Sequence, residues 1–335
     1  MQVATRDTPT IRPRSLAEIK QPVEDELAEF KRYFRDAMRS EVRILDLVTQ
    51  YLFRQKGKRI RPVLVLLSAK ACGSINESTF RAAALVELLH TATLVHDDVV
   101  DDADKRRSMY SVKALWKNRI AVLIGDFLLS KGLLLALEYE DYDLLQVVSG
   151  AVRRMSEGEL LQIEKARKLD IDEETYFKII SDKTASLISA CTACGAVSVT
   201  DDPSVIERMR LFGEKLGLAF QIRDDLFDYG EKDVGKPLGL DIEDKKMTLP
   251  LIYALQAADP AERRKILKLV RKSKKGKSEI RQISEFVKSK GGLDYARGKM
   301  NTLAEQASEM LGDLNHSEAR DALESLVTYT VSRGR

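Results

Sequence analysis

The sequence predicts an all-α fold, and three observations support this prediction. Proline is absent between Pro62 and Pro203, and glycine is absent between Gly73 and Gly125, so these segments lack the residues that most often end helices. Segments such as FRAAALVELLHTATLV combine Ala, Leu and Glu with a helical spacing of apolar residues rather than strict alternation. Dipeptides typical of β-hairpins are lacking in this region. We therefore predict ten or more helices.

Length and composition indicate a globular protein. The chain has 335 residues, of which 44% are apolar and 32% are charged, as in soluble proteins that bury a sizeable core. The formal net charge is only +3, so we expect no nucleic-acid partner. We find no apolar run near 18 residues and expect no stable membrane insertion. The N-terminus lacks the apolar core of a signal peptide, so we expect residues 1–14 to be frayed and the protein to be cytoplasmic. A single domain over residues 1–335 is the simplest organisation.

Local signals place the helices in order along the chain. The first ones are expected between residues 15 and 53, where Ser15 and Glu18 match a capping box. A long helical stretch is expected over residues 75–107, and another apolar helix is expected to open at Gly125. Further helices are expected towards the C-terminus, including the last ones near residues 292–335.

An acidic cluster with the spacing D-D-x-x-D occupies the end of the long helical stretch. On an α-helix Asp97 and Asp101 share one face, and Asp98 flanks them. Three carboxylates this close repel one another, so some must be protonated or a cation must lie among them. Such oxygen ligands favour Mg²⁺ first and Mn²⁺ second. Arg106 and Arg107 follow, and metal-binding carboxylates beside paired arginines are typical of a polyphosphate site. Taken alone, however, acidic runs are more often solvated helix faces.

A second cluster with the same spacing changes this balance. Asp224, Asp225 and Asp228 follow a second apolar segment, and a repeated cluster is hard to explain as two solvated helix faces. Two such triads across a helical cavity could hold several Mg²⁺ ions, which would bind one diphosphate. Such a site stabilises a departing diphosphate and needs no protein nucleophile. If an allylic carbocation is left behind, the cavity below should be apolar and dry.

Other features are individually weaker. The segment QKGKRIRP (residues 55–62) can hold an anion at a helix entrance, and Lys183 in an apolar helical run needs a partner or a ligand. Cys191 and Cys194 have a CxxC spacing among small apolar residues, which favours buried helix cysteines over a metal or redox site. The basic segment at residues 263–277 is a solvated helix face or a membrane-surface patch, and the first interpretation is favoured.

Six motifs resemble the trans-isoprenyl (polyprenyl) diphosphate synthase family. They are GKRIRP, LLHTATLVHDDVVDDADKRR, GDFLL, DKTASL, FQIRDDLFDYG and GKPLGLDIEDKKMTLPLIYAL, and they span residues 57–255 in the family's order. The resemblance implies the isoprenoid synthase fold, with helices around a deep central cavity, usually as a homodimer. It also implies a prenyltransferase that condenses an allylic diphosphate with isopentenyl diphosphate and releases pyrophosphate.

The resemblance also implies the role of each motif residue. Up to three Mg²⁺ ions, with Mn²⁺ as a substitute, and the allylic diphosphate would be held by Asp97, Asp98, Asp101, Asp224, Asp225 and Asp228. The residues expected at the allylic diphosphate or its developing cation are Arg106, Lys183, Thr184, Gln221, Lys236 and Lys246. Those expected at isopentenyl diphosphate are Gly57, Lys58, Arg61, His90 and Arg107.

Two positions depart from the family's usual pattern. Lys56 and Ser108 stand where the family commonly has glycine, which puts the local backbone turns in doubt but not the charges. The choice of Lys246 over its neighbour Lys245 rests on the alignment of motifs.

Product length is expected to depend on residues upstream of Asp97. In the family the fifth residue before the first cluster is a floor position that often carries an aromatic ring in short-chain members, and here it is Ala92. Leu89 and Val86 follow at three-residue steps and could form deeper floors. An open tunnel predicts a medium- or long-chain product, about hexa- to octaprenyl.

Three other functions remain open from the sequence. A terpene cyclase would share the metal chemistry but would not need the GKRIRP site for a second diphosphate. A non-catalytic partner of a heteromeric synthase would not need two intact aspartate clusters. A helical Mg²⁺-binding protein would not explain the accompanying arginines and lysines.

Overall fold

The structure is a computed structural model, and it describes residues 14–54, 59–106, 109–169, 171–230, 239–272 and 274–332, with only the backbone for residues 106, 167 and 168. Within these residues the chain forms sixteen α-helices and one two-stranded hairpin, which confirms the all-α prediction. The helices are α1 Leu16–Lys20, α2 Glu24–Ala37, α3 Arg43–Arg54, α4 Ile60–Cys72, α5 Glu77–Val100, α6 Val112–Glu138, α7 Tyr142–Lys168, α8 Glu173–Ile180, α9 Ser186–Val197, α10 Pro203–Phe227, α11 Leu240–Glu243, α12 Leu249–Gln256, α13 Pro260–Arg271, α14 Lys277–Ser289, α15 Gly292–Leu311 and α16 Glu318–Ser332. The strands are β1 Lys105–Arg106 and β2 Met109–Tyr110, which pair antiparallel.

Side-chain caps fix several helix starts. The capping box of Ser15 and Glu18 is present at α1, because the Ser15 hydroxyl accepts from the Glu18 N–H (3.3 Å) and the Glu18 carboxylate accepts from the Ser15 N–H (2.6 Å). The prediction that a helix opens at Gly125 is wrong. The Ser111 hydroxyl accepts from the Ala114 N–H (3.1 Å), so α6 starts at Val112 and Gly125 lies in its middle.

Helix α9 is the most deeply buried helix, and α4, α5, α7 and α10 pack against it. Its cysteines, Cys191 and Cys194, are fully buried, and burial raises the pKa of the Cys191 thiol to about 12. The core consists of two hydrophobic clusters, and Val331 of α16 packs against both. This contact supports the prediction of one domain, which stays a prediction.

The N-terminal end of α5 lies at the C-terminal end of α9. The Asn76 side chain donates to the Ser198 carbonyl (2.8 Å), and the hydroxyls of Thr79 and Ser198 are 2.8 Å apart. Helix α5 therefore runs antiparallel to α9, and because α5 is twice as long, its C-terminal aspartates lie beyond the N-terminal end of α9.

Helix α10 also runs antiparallel to α9. Thr192 donates its hydroxyl to the Met209 carbonyl (2.6 Å), and Gly217, further along α10, lies against Ala185 at the start of α9. Helices α5 and α10 consequently run in the same direction. At about 1.5 Å per residue of an ideal helix, Asp98 lies about 28 Å along α5 from its contact with Ser198, and Asp225 lies about 32 Å from Ser198 along α9 and α10, so we expect the two clusters at about the same level.

The expectation that the chain has no long apolar run is wrong, because α6 contains one. By length and composition alone it could cross a membrane, with 39% of its most apolar stretch buried. The charges of Asp126 and Lys131 interrupt this stretch, but its mean hydropathy remains 2.1. Such a helix is weak evidence for a membrane protein, because core and interface helices of soluble proteins meet the same criterion.

We predict that two glycines in helices respond oppositely to alanine substitution. A Cβ at Gly195 of α9 would lie 2.4 Å from the Val65 carbonyl oxygen of α4, whereas a Cβ at Gly150 of α7 would have no neighbour within 4 Å. Gly195→Ala should lower the free energy of unfolding by about 1–3 kcal/mol. The control Gly150→Ala should raise it by about 0.5–1 kcal/mol. Urea unfolding measures both values, and equal effects would contradict the close α4–α9 packing.

Candidate functional site

The first aspartate cluster closes the C-terminal end of α5. Asp97 is exposed, Asp98 is only 4% exposed, and Asp101 caps the helix with its N–H donating to the Asp97 carbonyl (2.8 Å). One turn earlier the Thr93 hydroxyl donates to the His90 carbonyl (2.8 Å). The helix thus presents carboxylates of different burial at one end.

A short hairpin folds back after this cluster and carries Arg106. The Ser111 hydroxyl donates to the Ala103 carbonyl (2.7 Å), and Lys113 pairs with Asp104 (3.3 Å), so the segment between α5 and α6 is tied together. Arg106 pairs with Met109 in the hairpin through its backbone, while its side chain lies outside the described residues. Arg107 also lies outside them.

The second cluster contains the most perturbed carboxylate of the site. Asp225 is 4% exposed and accepts hydrogen bonds from the Tyr176 hydroxyl (2.7 Å) and the Gln221 amide (2.9 Å). Burial raises the pKa of Asp225 to about 7, since the two hydrogen bonds only partly compensate and Asp241 and Asp224 raise it further. Asp224, the preceding residue of α10, is exposed.

Asp241 is a fourth carboxylate that the sequence analysis did not assign to the site. Burial and the nearby Asp241 raise the pKa of Asp228, which accepts from the Ile242 N–H (3.4 Å). Lys246 donates to Asp241 (2.8 Å). Lys245 instead lies near Lys275, whose pKa is lowered by burial and further by the charge of Lys245. Of the two neighbouring lysines, Lys246 is therefore the one that reaches the acidic cluster.

A π-helical turn, Ser181–Ala185, carries the predicted residues Lys183 and Thr184. The Lys183 ammonium pairs with Glu159 of α7 and lies 3.3 Å from the Gln162 side-chain oxygen. The Thr184 hydroxyl donates to the Gln221 side-chain oxygen (2.9 Å), so it is linked through Gln221 to Asp225. Widened turns of this kind change the direction of side chains and are frequent at functional sites.

A partly buried ion network fixes the start of this turn. The Arg154 guanidinium donates to Asp182 (2.8 Å), to the Ser181 hydroxyl (2.9 Å) and to Glu214 (3.1 Å). Arg210 donates to the other Glu214 oxygen (2.8 Å). Burial raises the pKa of Glu214, but the hydrogen bonds from Ser181, Arg154 and Arg210 outweigh it and the net shift is downward. The network therefore joins α7, the π-turn and α10.

The residues predicted to hold isopentenyl diphosphate are only partly described. Arg61 is half-buried in the first turn of α4, and His90 is 7% exposed on α5. Arg61 of α4 and Glu87 of α5 both lie close enough to Cys191 of α9 to affect the pKa of its thiol. Glu87 is one helical turn before His90, so Arg61 and His90 lie in the same region of the bundle. Gly57 and Lys58 lie outside the described residues, as does Lys236 of the other predicted set.

The three predicted chain-length residues are all buried. Ala92 is 2% exposed, and Leu89 and Val86 are no more exposed. A Cβ at Gly132 of α6 would lie 3.6 Å from Leu89, so Leu89 faces α6. On an ideal helix each three-residue step turns the side chain by about 60°, so Val86, Leu89 and Ala92 point in three different directions around α5. Of the three, Val86 points most nearly in the direction of Asp97. The three residues therefore do not form one straight stripe.

The two clusters together provide oxygen ligands without enclosing an ion by themselves. Within the described ranges no three His, Cys, Asp or Glu side chains converge closely enough to hold a metal ion. Mg²⁺ commonly takes only one or two carboxylates and completes its shell with water and substrate phosphates. Tyr176 and Asp241 were not predicted as site residues, and Tyr176 has no sequence signal that separates it from a core aromatic residue.

The comparisons with known proteins agree with this arrangement. The sequence model of the Polyprenyl synthetase family matches residues 42–287. The chain belongs to this family. It is 35% identical to an all-trans-nonaprenyl-diphosphate synthase (geranyl-diphosphate specific) from Rhodobacter capsulatus, and the match covers 94% of this chain and 97% of the relative. It is 32% identical over 96% of its length to the whole of the octaprenyl diphosphate synthase of Escherichia coli. The solved structure of a decaprenyl diphosphate synthase from Rhodobacter capsulatus matches with a TM-score of 0.89 and 33% identity, covering 96% of this chain and 100% of that one. The protein is therefore a prenyltransferase with the isoprenoid synthase fold.

We predict that Asp225 makes the stability of the metal-free protein depend on pH. Its pKa is about 7 in the folded chain and near 4 in the unfolded chain, so the folded state binds the extra proton. This stabilisation is fully present below about pH 4 and is lost as the pH rises through 7. Between pH 6 and 8 in EDTA the free energy of unfolding should fall by about 1 kcal/mol.

The variant Asp225→Asn should lack this dependence in urea unfolding at pH 6, 7 and 8. The exposed Asp143→Asn on α7 serves as the control and should keep it. An unchanged slope in Asp225→Asn would show that another group is responsible.

Proposed function

We propose that this prenyltransferase condenses an allylic diphosphate with isopentenyl diphosphate, releases pyrophosphate and makes an all-trans polyprenyl diphosphate, about hexa- to octaprenyl in length. The main support is that two D-D-x-x-D clusters end at the same level of two helices that run in the same direction. The names of the nonaprenyl and octaprenyl relatives support the product class. A cytoplasmic location belongs to the same proposal.

The acidic residues fit a hard divalent cation. Burial leaves Asp225 and Asp228 with raised pKa values, and both shifts include repulsion from Asp241. A cation relieves such repulsion, and carboxylate oxygens are the donors that Mg²⁺ prefers. The ligands would be Asp97, Asp98, Asp101, Asp224, Asp225 and Asp228, for up to three Mg²⁺ ions or for Mn²⁺. Bound Mg²⁺ would supply positive charge to the leaving diphosphate.

The cations around the second cluster would bind the allylic diphosphate. Lys246 and Lys183 now pair with Asp241 and Glu159, and a diphosphate with more charge than one carboxylate would compete for both ammonium groups. Thr184 is hydrogen-bonded to Gln221, which is hydrogen-bonded to Asp225, and both side chains could donate to the same diphosphate oxygens once their mutual hydrogen bond opens. Arg106 and Lys236 complete the proposed set.

The second diphosphate would lie nearer α4. Arg61 and His90 belong to this proposed site, together with Gly57, Lys58 and Arg107. The guanidinium is a permanent cation that matches phosphate oxygens with paired donors. A separate site for isopentenyl diphosphate distinguishes a condensing enzyme from a terpene cyclase, which needs only one diphosphate.

The proposal is tested by incubating the protein with Mg²⁺, isopentenyl diphosphate and allylic primers of increasing length, followed by chromatography of the products. A condensing enzyme should consume both substrates and yield longer diphosphates. Consumption of the primer without isopentenyl diphosphate would indicate a cyclase. No turnover by the pure chain would contradict the proposal and favour a non-catalytic subunit.

We predict that both clusters are needed for turnover. Asp97→Ala and Asp224→Ala should each reduce turnover by at least roughly a hundredfold, because each removes a ligand from the charge that stabilises the leaving group. Circular dichroism should show unchanged helicity, since both side chains are exposed. The exposed Asp36→Ala on α2 is the control and should keep full activity. Near-normal turnover in either cluster variant would refute the metal assignment.

We predict that an aromatic ring at position 92 shortens the product. The family resemblance, rather than helix geometry, makes Ala92 a floor position of the tunnel. Because Ala92 lies only about 7.5 Å below Asp97 along α5 at 1.5 Å per residue, a ring there would obstruct an early stage of chain growth. Ala92→Tyr should yield mainly products of about three or four isoprene units while catalysis continues. Thr91→Tyr, one position away and turned by about 100°, is the matched control and should leave the product length unchanged. Identical product distributions for the two variants would contradict the tunnel.

We propose that the protein forms a homodimer through the exposed side of α6. Beyond the break at Lys117, where φ is 70°, Val122, Leu123, Leu134 and Leu137 are exposed and fall within one side of the helix. An apolar stripe of this size on a helix that already packs against α5 is typical of a subunit interface. The same contact would explain why α6 is apolar without membrane insertion.

We predict that charges on this stripe give a monomer. Leu123→Glu with Leu134→Glu should halve the mass measured by light scattering, because a dimer would bury both carboxylates without partners. The control is Lys31→Glu with Arg32→Glu, at two exposed positions of α2, and this variant should stay dimeric. A wild-type protein that is monomeric at micromolar concentration would contradict the proposal.

A further inference from the structure

Helix α13 and the segment after it carry an unusual concentration of exposed positive charge. We call this the α13 basic surface, and its residues are Arg263, Arg264, Lys265, Lys268, Arg271, Lys274 and Lys277. All seven are exposed, and none of them forms an ion pair or hydrogen bond with another of the residues that the structure describes. Paired surface charges would neutralise each other, so these seven add their fields.

The local fold turns these residues outward and leaves them uncompensated. Ile266 and Val270 bury the inner side of α13 in the core. The two acidic residues within residues 260–281 already have other partners: Glu262 pairs with Lys290 (2.6 Å), and Glu279 pairs with Lys272. The amphipathic pattern therefore separates an anchored apolar side from a cationic outer side.

The charge of this segment also contrasts with the rest of the protein. Residues 260–281 contain ten of the 55 basic residues and two of the 52 acidic residues. The segment thus has a formal charge of +8, while the whole chain has +3 and the remaining residues sum to −5. The small net charge of the protein conceals a strongly cationic surface on an otherwise acidic molecule.

The α13 basic surface adjoins the element that closes the second aspartate cluster. Lys275, which follows α13, donates to the Glu243 carbonyl of α11 (3.2 Å). The Ile242 N–H of α11 donates in turn to Asp228 (3.4 Å). The cationic surface and the proposed catalytic site are therefore linked through one short helix.

We propose that the α13 basic surface docks the protein electrostatically on an anionic lipid bilayer, next to which the product is released. Membranes with anionic headgroups attract clusters of Lys and Arg. Helix α13 exposes no large apolar side chain, so the contact is peripheral and involves no insertion. Residues 260–277 contain no aromatic residue to stack on nucleic-acid bases. The release of a long hydrocarbon product at the membrane depends on the proposed function, whereas the docking itself is inferred from the surface charges alone.

The test is co-sedimentation of the full-length protein with phosphatidylcholine vesicles, with and without about one third phosphatidylglycerol. The wild type should bind only the anionic vesicles and should be released by about 0.5 M salt. The triple variant Lys268→Ala, Arg271→Ala, Lys274→Ala should bind roughly a hundredfold more weakly. The control Lys31→Ala, Arg32→Ala, Arg35→Ala on α2 removes the same charge and should bind normally.

Three results would overturn the docking proposal. They are no binding of the wild type to anionic vesicles, equal binding to neutral vesicles, and equal weakening by the two triple variants. Preferential binding of a short DNA duplex, with no vesicle binding, belongs to the first result and would assign the surface to nucleic acid. Condensation activity in detergent is measured separately and should be unchanged in both variants, so a failure of the proposed enzyme activity is distinguishable from a failure of docking.

Discussion

The close packing of α9 against α4 and α10 determines where the chemistry of this protein lies. Gly195 allows the α4 backbone to approach α9, and Gly213 and Gly217 do the same for α10, since a Cβ at any of them would overlap a neighbouring helix. With α10 held antiparallel to α9, and α5 held likewise by Asn76, the two acidic helix ends reach one level. The catalytic proposal depends on this arrangement, because neither cluster encloses an ion alone.

Electrostatic repulsion is the second constraint, and the protein distributes it unevenly. Burial raises the pKa of Asp225 to about 7, hydrogen bonds from Tyr176 and Gln221 oppose this rise, and the neighbouring carboxylates Asp241 and Asp224 add to it. Lys246 compensates part of this charge through Asp241. The site is thus prepared for additional positive charge, and a dication that also binds a diphosphate satisfies this requirement better than a further lysine would.

Motif spacing predicted much of this arrangement, and packing explains what it could not predict. The absence of proline and glycine predicted the helices, and repeated D-D-x-x-D spacing identified Asp97 and Asp224 as candidate ligands. The buried state of Asp225 and the role of Tyr176 depend on contacts between distant helices, which spacing does not encode. Gly125 is not a helix start, because the helical segment that contains it already begins directly after the break at Lys117. The π-turn at Lys183 has contacts of the same kind, because its first two residues, Ser181 and Asp182, are hydrogen-bonded by Arg154 of α7.

Anomalous diffraction from crystals grown with Mn²⁺ and an unreactive allylic thiodiphosphate tests the central claim most directly. The two aspartate clusters should share one diphosphate through metal ions, so anomalous peaks are expected within about 2.3 Å of carboxylate oxygens from both clusters. The same crystals would show whether Lys183 and Lys246 have exchanged their carboxylate partners for the diphosphate. Peaks at one cluster alone, or at neither, with the diphosphate bound elsewhere, would contradict the account.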